Sequence, residues 1–372
     1  MTSFQAVKGV RRITPFFTWD SAYGVYVGDY PVTNLSKDEL AFVCRTGAAT
    51  LRANRFKGTL DHERAAMLMG FVHHTCGLDD RFRVRLYGNA GKAFTADPST
   101  DRITIAAHGL STGTSATVWN RMPVGGALPG GLVDGTVYYV RVIDANTLTL
   151  HQSIAAASAG TGAVDITSAG VGQHELLSDL RYNPGWDDVW PVVYGDTPEW
   201  EDETWWTGKY SEEDLAKWKV KTRPVLFDQT YLFVVATLEF DSSTTLDIGL
   251  LEMAKGWQFA SNYAPGSQFG FRIRSKSVEH WGGGKGFERL NKPRTFRGQI
   301  AMTTYTEAME QGFEDVFSND VTEPFLWIER PDDPKNWLRT SYFARNTDPG
   351  PSSHHQAPGC ATIPLAHEEV LP

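Results

Sequence analysis

Cysteine is scarce in this chain. Only Cys44, Cys76 and Cys360 occur among 372 residues. They are odd in number and far apart, with no CxxC pair or other zinc spacing. They read as reduced thiols of a protein folded in a cytosol, not as a disulfide framework. Long apolar runs are missing as well. The longest, Tyr231 to Leu238, is strand-sized and far short of the roughly 20 residues a membrane helix needs. Met1 to Arg12 has no apolar signal core, so the expectation is a soluble chain without a conventional secretion signal. Positive charge is in deficit: 35 Lys and Arg face 44 Asp and Glu, for a net charge of -9. That argues against a general nucleic-acid binder, which carries a basic stripe. No Gly-x-Ser-x-Gly elbow is present. Gly282-Gly283-Gly284-Lys285-Gly286 lacks the spacing and the following Ser or Thr of a phosphate loop, and reads as a flexible loop.

Aromatic residues are plentiful at 12%, with 12 Trp. The length suggests two or three domains. One pattern occurs twice. Arg55-Phe56-Lys57-Gly58 precedes an apolar stretch with Ala65, Leu68, Met69 and Val72 at near-helical spacing, then the alternating run Phe82 to Tyr87. Thr295-Phe296-Arg297-Gly298 precedes Ala308, Met309, Gly312 and Phe313, then Pro324 to Ile328. Each copy predicts a strand, a helix and a strand, the first helix capped by Asp61. A duplicated unit of this kind points to an assembly part rather than an enzyme pocket.

Composition divides the chain further. Residues 1–92 form a first β unit, with strands over Ile13–Phe17 and Tyr23–Val27 and a short helix capped by Ser36. Residues 93–178 turn rich in Gly, Ala, Thr and Ser. They carry strands at 102–105, 116–119, 137–142, 147–150 and 173–176, which predicts an inserted small all-β (Ig-like) module. Residues 179–220 are acidic and Trp-rich and read as an irregular connection, with Ser211 opening one or two helical turns. Residues 221–348 form the second β unit, and 349–372 an extended tail.

Two resemblances emerge. His108-Gly109-Leu110-Ser111-Thr112-Gly113, Leu128-Pro129-Gly130-Gly131-Leu132, Gly135 to Val140 and Asp144 to Leu150 resemble a β-sandwich module common in bacteriophage virion proteins. Gly160 to Leu176 continues the likeness, which covers roughly 85 residues. More weakly, Arg294-Thr295-Phe296, the helix, Thr322 to Ile328 and Pro331-Asp332-Asp333-Pro334 are similar to distal-tail and tail-tube proteins of long-tailed phages. Gly77 to Arg85 fits the same pattern more loosely. The resemblance implies two tail-tube-like β-sandwich or barrel domains, each with a flanking helix, whose sheets join around a ring. It implies a structural virion protein near the tail tip or baseplate, connecting tube to tip proteins, made and assembled in the host cytoplasm. The implied partners are copies of itself as a trimer or hexamer, neighbouring tube and hub proteins, and a tape-measure protein or DNA in the channel. The main tube subunit is one alternative. A carbohydrate-binding receptor protein, reading a host surface glycan, is another.

Chemistry candidates are few, and neither a cofactor nor an enzyme activity is expected. His73-His74 near Cys76 reads as a pair of helix-end histidines. His354-His355 with Cys360 and His367 could hold a metal only if the tail gathered them. The Trp rings between Trp186 and Trp206 alternate with carboxylates, an arrangement suited to an interface with wet acidic rims. Trp186, Trp190, Trp205 and Trp206 are the candidate anchors. Arg55, Lys57, Arg294 and Arg297, with Arg52, are expected to face acidic partners on neighbouring subunits, leaving a channel that is neutral to acidic.

Overall fold

A computed structural model describes residues 5–122, 124–193, 206–279, 281, 283–288, 290–315, 322–347, 353–354 and 360–372. The chain is mainly β, with one very large sheet, a closed six-stranded barrel and a two-stranded hairpin. Three large buried apolar clusters mark its cores.

The first core is built around two 20-residue strands, Arg55–His74 and Thr222–Asp241, which pair antiparallel. Their register shifts between Leu226 and Tyr231 and between Phe233 and Val235. Such bulges bend a strand and increase its twist. At the bend, Asp61, His62 and Glu63 on one strand and Asp228, Gln229 and Thr230 on the other are exposed. The two ends then pair differently. Residues 55–59 lie between Val235–Glu239 and Thr18–Trp19, whereas residues 68–72 lie between Thr222–Leu226 and the strand Asp247–Gln258. Each long strand therefore serves both walls around one core, which holds Phe56, Phe71, Phe82, Phe233 and Phe240.

This arrangement corrects two expectations. Residues 65–72 are strand, not helix, and Asp61 caps nothing; it meets His62 and Arg64 at the bend. The near-helical spacing arose because this stretch is buried on both faces. Met69 and Phe71 belong to the first core, while Leu68 packs behind the sheet with Val7, Leu326 and Ile328. A strand covered on both sides loses its alternation. Second, Thr222–Gln258 completes the first core rather than opening a separate unit. Nearer the N-terminus, 3-10 turns at Thr14–Phe16 and Val32–Ser36 replace the expected strand and Ser36-capped helix.

The second core gathers Trp257, Phe296, Ile300, Phe325, Trp327 and Ile363 with Val10 of the N-terminal strand and Ala6 just before it. Val7–Arg12 pairs with Asp247–Gln258 on one side and with Phe325–Ile328 on the other, so the sheet runs on without a break. Cys360–Glu369 is not an extended tail. It is a strand held between Arg294–Thr304 and Ser341–Asn346, with buried and half-buried residues alternating. A helical segment, Tyr305–Asp315, does follow the second triplet strand. The strand neighbours of the two triplets differ, so the likeness between them is local.

Residues 92–178 close into a barrel through the pairings of Lys92–Asp97, Arg102–Thr104, Ser115–Asn120, Val137–Val142, Thr147–His151 and His174–Ser178. Closure removes free strand edges. The barrel seats on the sheet of the first core through an apolar layer of Tyr23, Tyr87, Trp119, Leu177 and Val235. Strand alternation explains the first triplet here. Phe56 enters the first core, while Arg55 and Lys57 face the barrel. A Cβ at Gly58 would stand 2.6 Å from the Phe17 ring.

The Lys57 ammonium donates to both Glu175 oxygens at 2.6 Å and reaches Asp20 at 3.4 Å. Arg55 donates to the carbonyls of Tyr23 and Asn120 and lies over the Tyr23 ring at 4.6 Å. Arg85 donates to the Gly135 carbonyl at 2.6 Å, and Arg52 meets Asp134 at 2.7 Å. The barrel is docked, not tethered. Removing one partner of a buried ion pair strands the other charge at a cost of about 3 kcal/mol or more. Because Lys57 keeps its longer contact to Asp20, we expect Glu175→Gln to lower the unfolding free energy by about 1.5–3 kcal/mol, and Lys57→Met with Glu175→Leu to regain most of it. Denaturant titration decides this: an unchanged midpoint in the single variant would show that the joint contributes nothing.

Candidate interaction surface

The expected contact residues separate into two groups. Arg55 and Lys57 are buried, and their acidic partners lie within the same chain. Arg294 is likewise buried. It donates to Glu369 and the Leu338 carbonyl, and its guanidinium lies 4.8 Å from the Tyr342 ring centroid and 5.1 Å from that of Trp218. It therefore holds the last strand in place. Trp190 belongs to the first core; its indole N–H donates to the Cys76 carbonyl at 3.2 Å. Trp186 is half-buried under the Arg83 guanidinium, 4.4 Å from its centroid. Arg297 and Trp206 are exposed, the latter by 85%. Trp205 lies outside the described residues. Ser211 caps the helix Glu212–Ala216 as expected, in a reciprocal bond pair with Asp214.

The metal and thiol candidates are equally settled into packing. His73 and His74 end a strand, not a helix, and His73 takes a positive φ of 56°. The His74 ring lies between Phe71 at 4.9 Å and Trp190 at 5.2 Å. His367 sits in the second core, 4.4 Å from Trp327. His355 lies outside the described residues. Among the described residues, no group of His, Cys, Asp and Glu is arranged to hold a metal. Burial pushes the Cys44 thiol up to about 12 and raises Cys76 well above its usual range. Both stay protonated, and the thiolate is the reactive form.

Apolar surface is concentrated elsewhere, in a segment whose exposure the sequence did not announce. The great sheet ends at Gln268–Phe271, whose four residues are all exposed. It pairs on its inner side with Arg294–Arg297. Its outer side is an edge, which offers unpaired backbone groups to another chain. Phe269 is 74% exposed and Phe271 56%. Beyond it, Lys276–Glu279 and Lys285–Glu288 form a two-stranded hairpin, with its turn in the glycine stretch read as a loop and Lys285 and Gly286 of that stretch drawn into the second strand. This arm exposes Val278 and Phe287, and Trp281 at its turn is fully exposed. Isolated two-stranded hairpins are marginal in water. Arg272 and Arg274 fasten the base of the arm by pairing with Glu368 at 3.1 and 2.9 Å.

Two hollows flank the base of the arm. One, of 490 Å³, is walled by Phe269, Phe271, Trp327 and Tyr342, with Glu329 at its margin. Burial holds the Glu329 carboxyl above its usual range. The other, of 1060 Å³, shares Trp218, Phe271 and Arg339 with the first and adds Lys219, Phe287 and Lys292. Large exposed aromatic rings beside an open strand edge fit contact with another polypeptide chain.

Compared with protein-family models and with curated proteins, the chain matches none.

The buried histidines set a pH dependence. Burial, reinforced by nearby cations, keeps His74 and His367 neutral in the folded chain, well below their ordinary titration range. Unfolded, each binds a proton below about pH 6.5. Stability is therefore full above about pH 6.5 and falls as the pH drops below it. We expect His74→Phe to flatten this decline, as measured by urea unfolding between about pH 8 and pH 5.5. An unchanged slope would remove His74 from the account.

Proposed function

We propose that this chain is a structural protein of a long-tailed bacteriophage virion, forming a homo-oligomeric ring around the tail channel near the tip or baseplate. The single observation that carries the reading is the exposed aromatic edge Gln268–Phe271, with its hairpin arm. A free edge at the end of so large a sheet favours strand addition from a neighbouring copy, and that neighbour buries Phe269, Phe271 and Trp281. The likeness of 294–334 to distal-tail and tail-tube proteins, and of 108–176 to a virion surface module, supplies the class. On this reading the two β cores act as tail-tube-like ring segments, and the barrel projects as decoration, available to a host glycan. Tube and hub proteins stack on the ring, and tape-measure protein or DNA passes through a lumen that is neutral to acidic.

The test is sedimentation and electron microscopy of the purified full chain. Closed rings of fixed size are expected; open filaments would favour the main tube subunit instead. Truncating a buried aromatic anchor costs about 2 kcal/mol of binding, roughly 30-fold in affinity. Phe269→Ala and Trp281→Ala should each weaken association by about that factor without changing the unfolding midpoint. A wild-type chain that stays monomeric at every concentration, with or without tail extract, would sink the proposal.

A further inference from the structure

The larger hollow beside the arm carries an unbalanced charge. Lys219, Lys292 and Arg339 line it and are exposed, and among the described residues none of the three pairs with a carboxylate. Lys217, nearby, differs: Asp214 and Glu213 neutralise it at 3.1 and 3.7 Å. Trp218, Phe271 and Phe287 line the same hollow and supply its apolar wall. In a chain of net charge -9, a groove that gathers free cations around aromatic rings is selective. It attracts a segment that is acidic and carries rings of its own, because complementary charge steers encounter and the rings bury area once docked.

The same chain contains such a segment. From Tyr182 to Gly208 no Lys, Arg or His occurs. Within Tyr194–Trp205 stand Asp196, Glu199, Glu201, Asp202 and Glu203, interleaved with Trp200 and Trp205. The roots of this segment are fixed: the Val193 N–H donates to the Gly208 carbonyl at 2.7 Å, with Val193 in the first core. Trp206, just past its end, is 85% exposed.

We propose that the basic aromatic groove of one copy receives the acidic Tyr194–Trp205 segment of a second copy. This rests on the ring reading above, because the groove shares Phe271 with the open sheet edge that a neighbouring copy would extend. One neighbour then supplies both a strand for the edge and carboxylates for the groove. On the ring reading the contact repeats head to tail, each groove taking the segment of the next copy. A reciprocal exchange within a two-fold dimer would satisfy the same surfaces without a ring, and sedimentation separates the two.

The test combines a peptide with charge exchange, all on the full-length chain. A labelled peptide of the sequence 194–205 is titrated with wild-type protein and followed by fluorescence anisotropy. We expect saturable binding that falls about tenfold or more in the triple variant Lys219→Glu, Lys292→Glu, Arg339→Glu. Binding should also weaken steeply at about 1 M salt, where the Debye length is about 3 Å. Sedimentation then compares this variant with Glu199→Lys, Glu201→Lys, Glu203→Lys. Each alone should associate less than wild type, and an equimolar mixture should recover association. The three groove positions are exposed, and circular dichroism with an unfolding midpoint checks that each variant is folded. Equal peptide binding by wild type and the groove variant would overturn the proposal. Wild-type rings that persist in both variants would also overturn it while leaving the ring reading intact. Peptide binding by a chain that is always monomeric would place the segment in its own groove, overturning the second-copy assignment and the ring together.

Discussion

Everything in this molecule hangs from the pairing of Arg55–His74 with Thr222–Asp241. The two strands are the longest in the chain, and the barrel and the acidic connection are both spliced between them. The bend matters as much as the length. A straight pair of that size would present flat faces to two different cores. The bulges let the same two strands wrap one core, so its two walls share continuous backbone. Edge-on, that core continues into the second through Asp247–Gln258 and Val7–Arg12.

Charge inside the molecule is used for joining. Arg55, Lys57 and Arg85 bind the barrel to the sheet, Arg294 with Glu369 holds the last strand, and Arg12 meets the buried Glu252 at 2.7 Å. Burial raises the Glu252 carboxyl and the Arg12 guanidinium opposes it. Pairs of this type contribute orientation more than net stability, because desolvation consumes most of their attraction. Those of Arg55, Lys57 and Arg85 add directional contacts to the apolar layer on which the barrel sits.

Local signals were legible in the sequence, and distant ones were not. Five of the six barrel strands were placed to within a residue or two from alternation and turn residues. Lys92–Asp97 was missed, and with it the closure that makes the module a barrel and not the expected Ig-like sandwich. The Ser211 cap was legible because its partner Asp214 lies three residues away. Phe56 and Phe296 were singled out as parts of a repeated triplet, and both prove to be core residues. What failed depended on partners far along the chain. Residues 65–72 read as helix because cover on both faces, by the first core on one side and by Val7, Leu326 and Ile328 on the other, erased the strand period. Lys57 read as a contact residue because Glu175 is 118 positions away. The arm was missed because exposure of Phe269 or Trp281 is a property of the fold and leaves no mark in composition.

The splice between the long strands also sets a schedule. During synthesis, residues 55–74 emerge well before their partner strand. At roughly 5–20 residues per second, the ribosome needs about 10–30 s to deliver the missing half. Through that interval a nascent strand with Leu68, Met69, Phe71 and Val72 has no native neighbour from 222–241. The barrel, whose pairings all fall within 92–178, can close in the meantime. Once closed, it already carries Glu175 and the Asn120 carbonyl, the groups that Lys57 and Arg55 meet in the folded chain, while the rest of its seat, Val235, comes only with the second half.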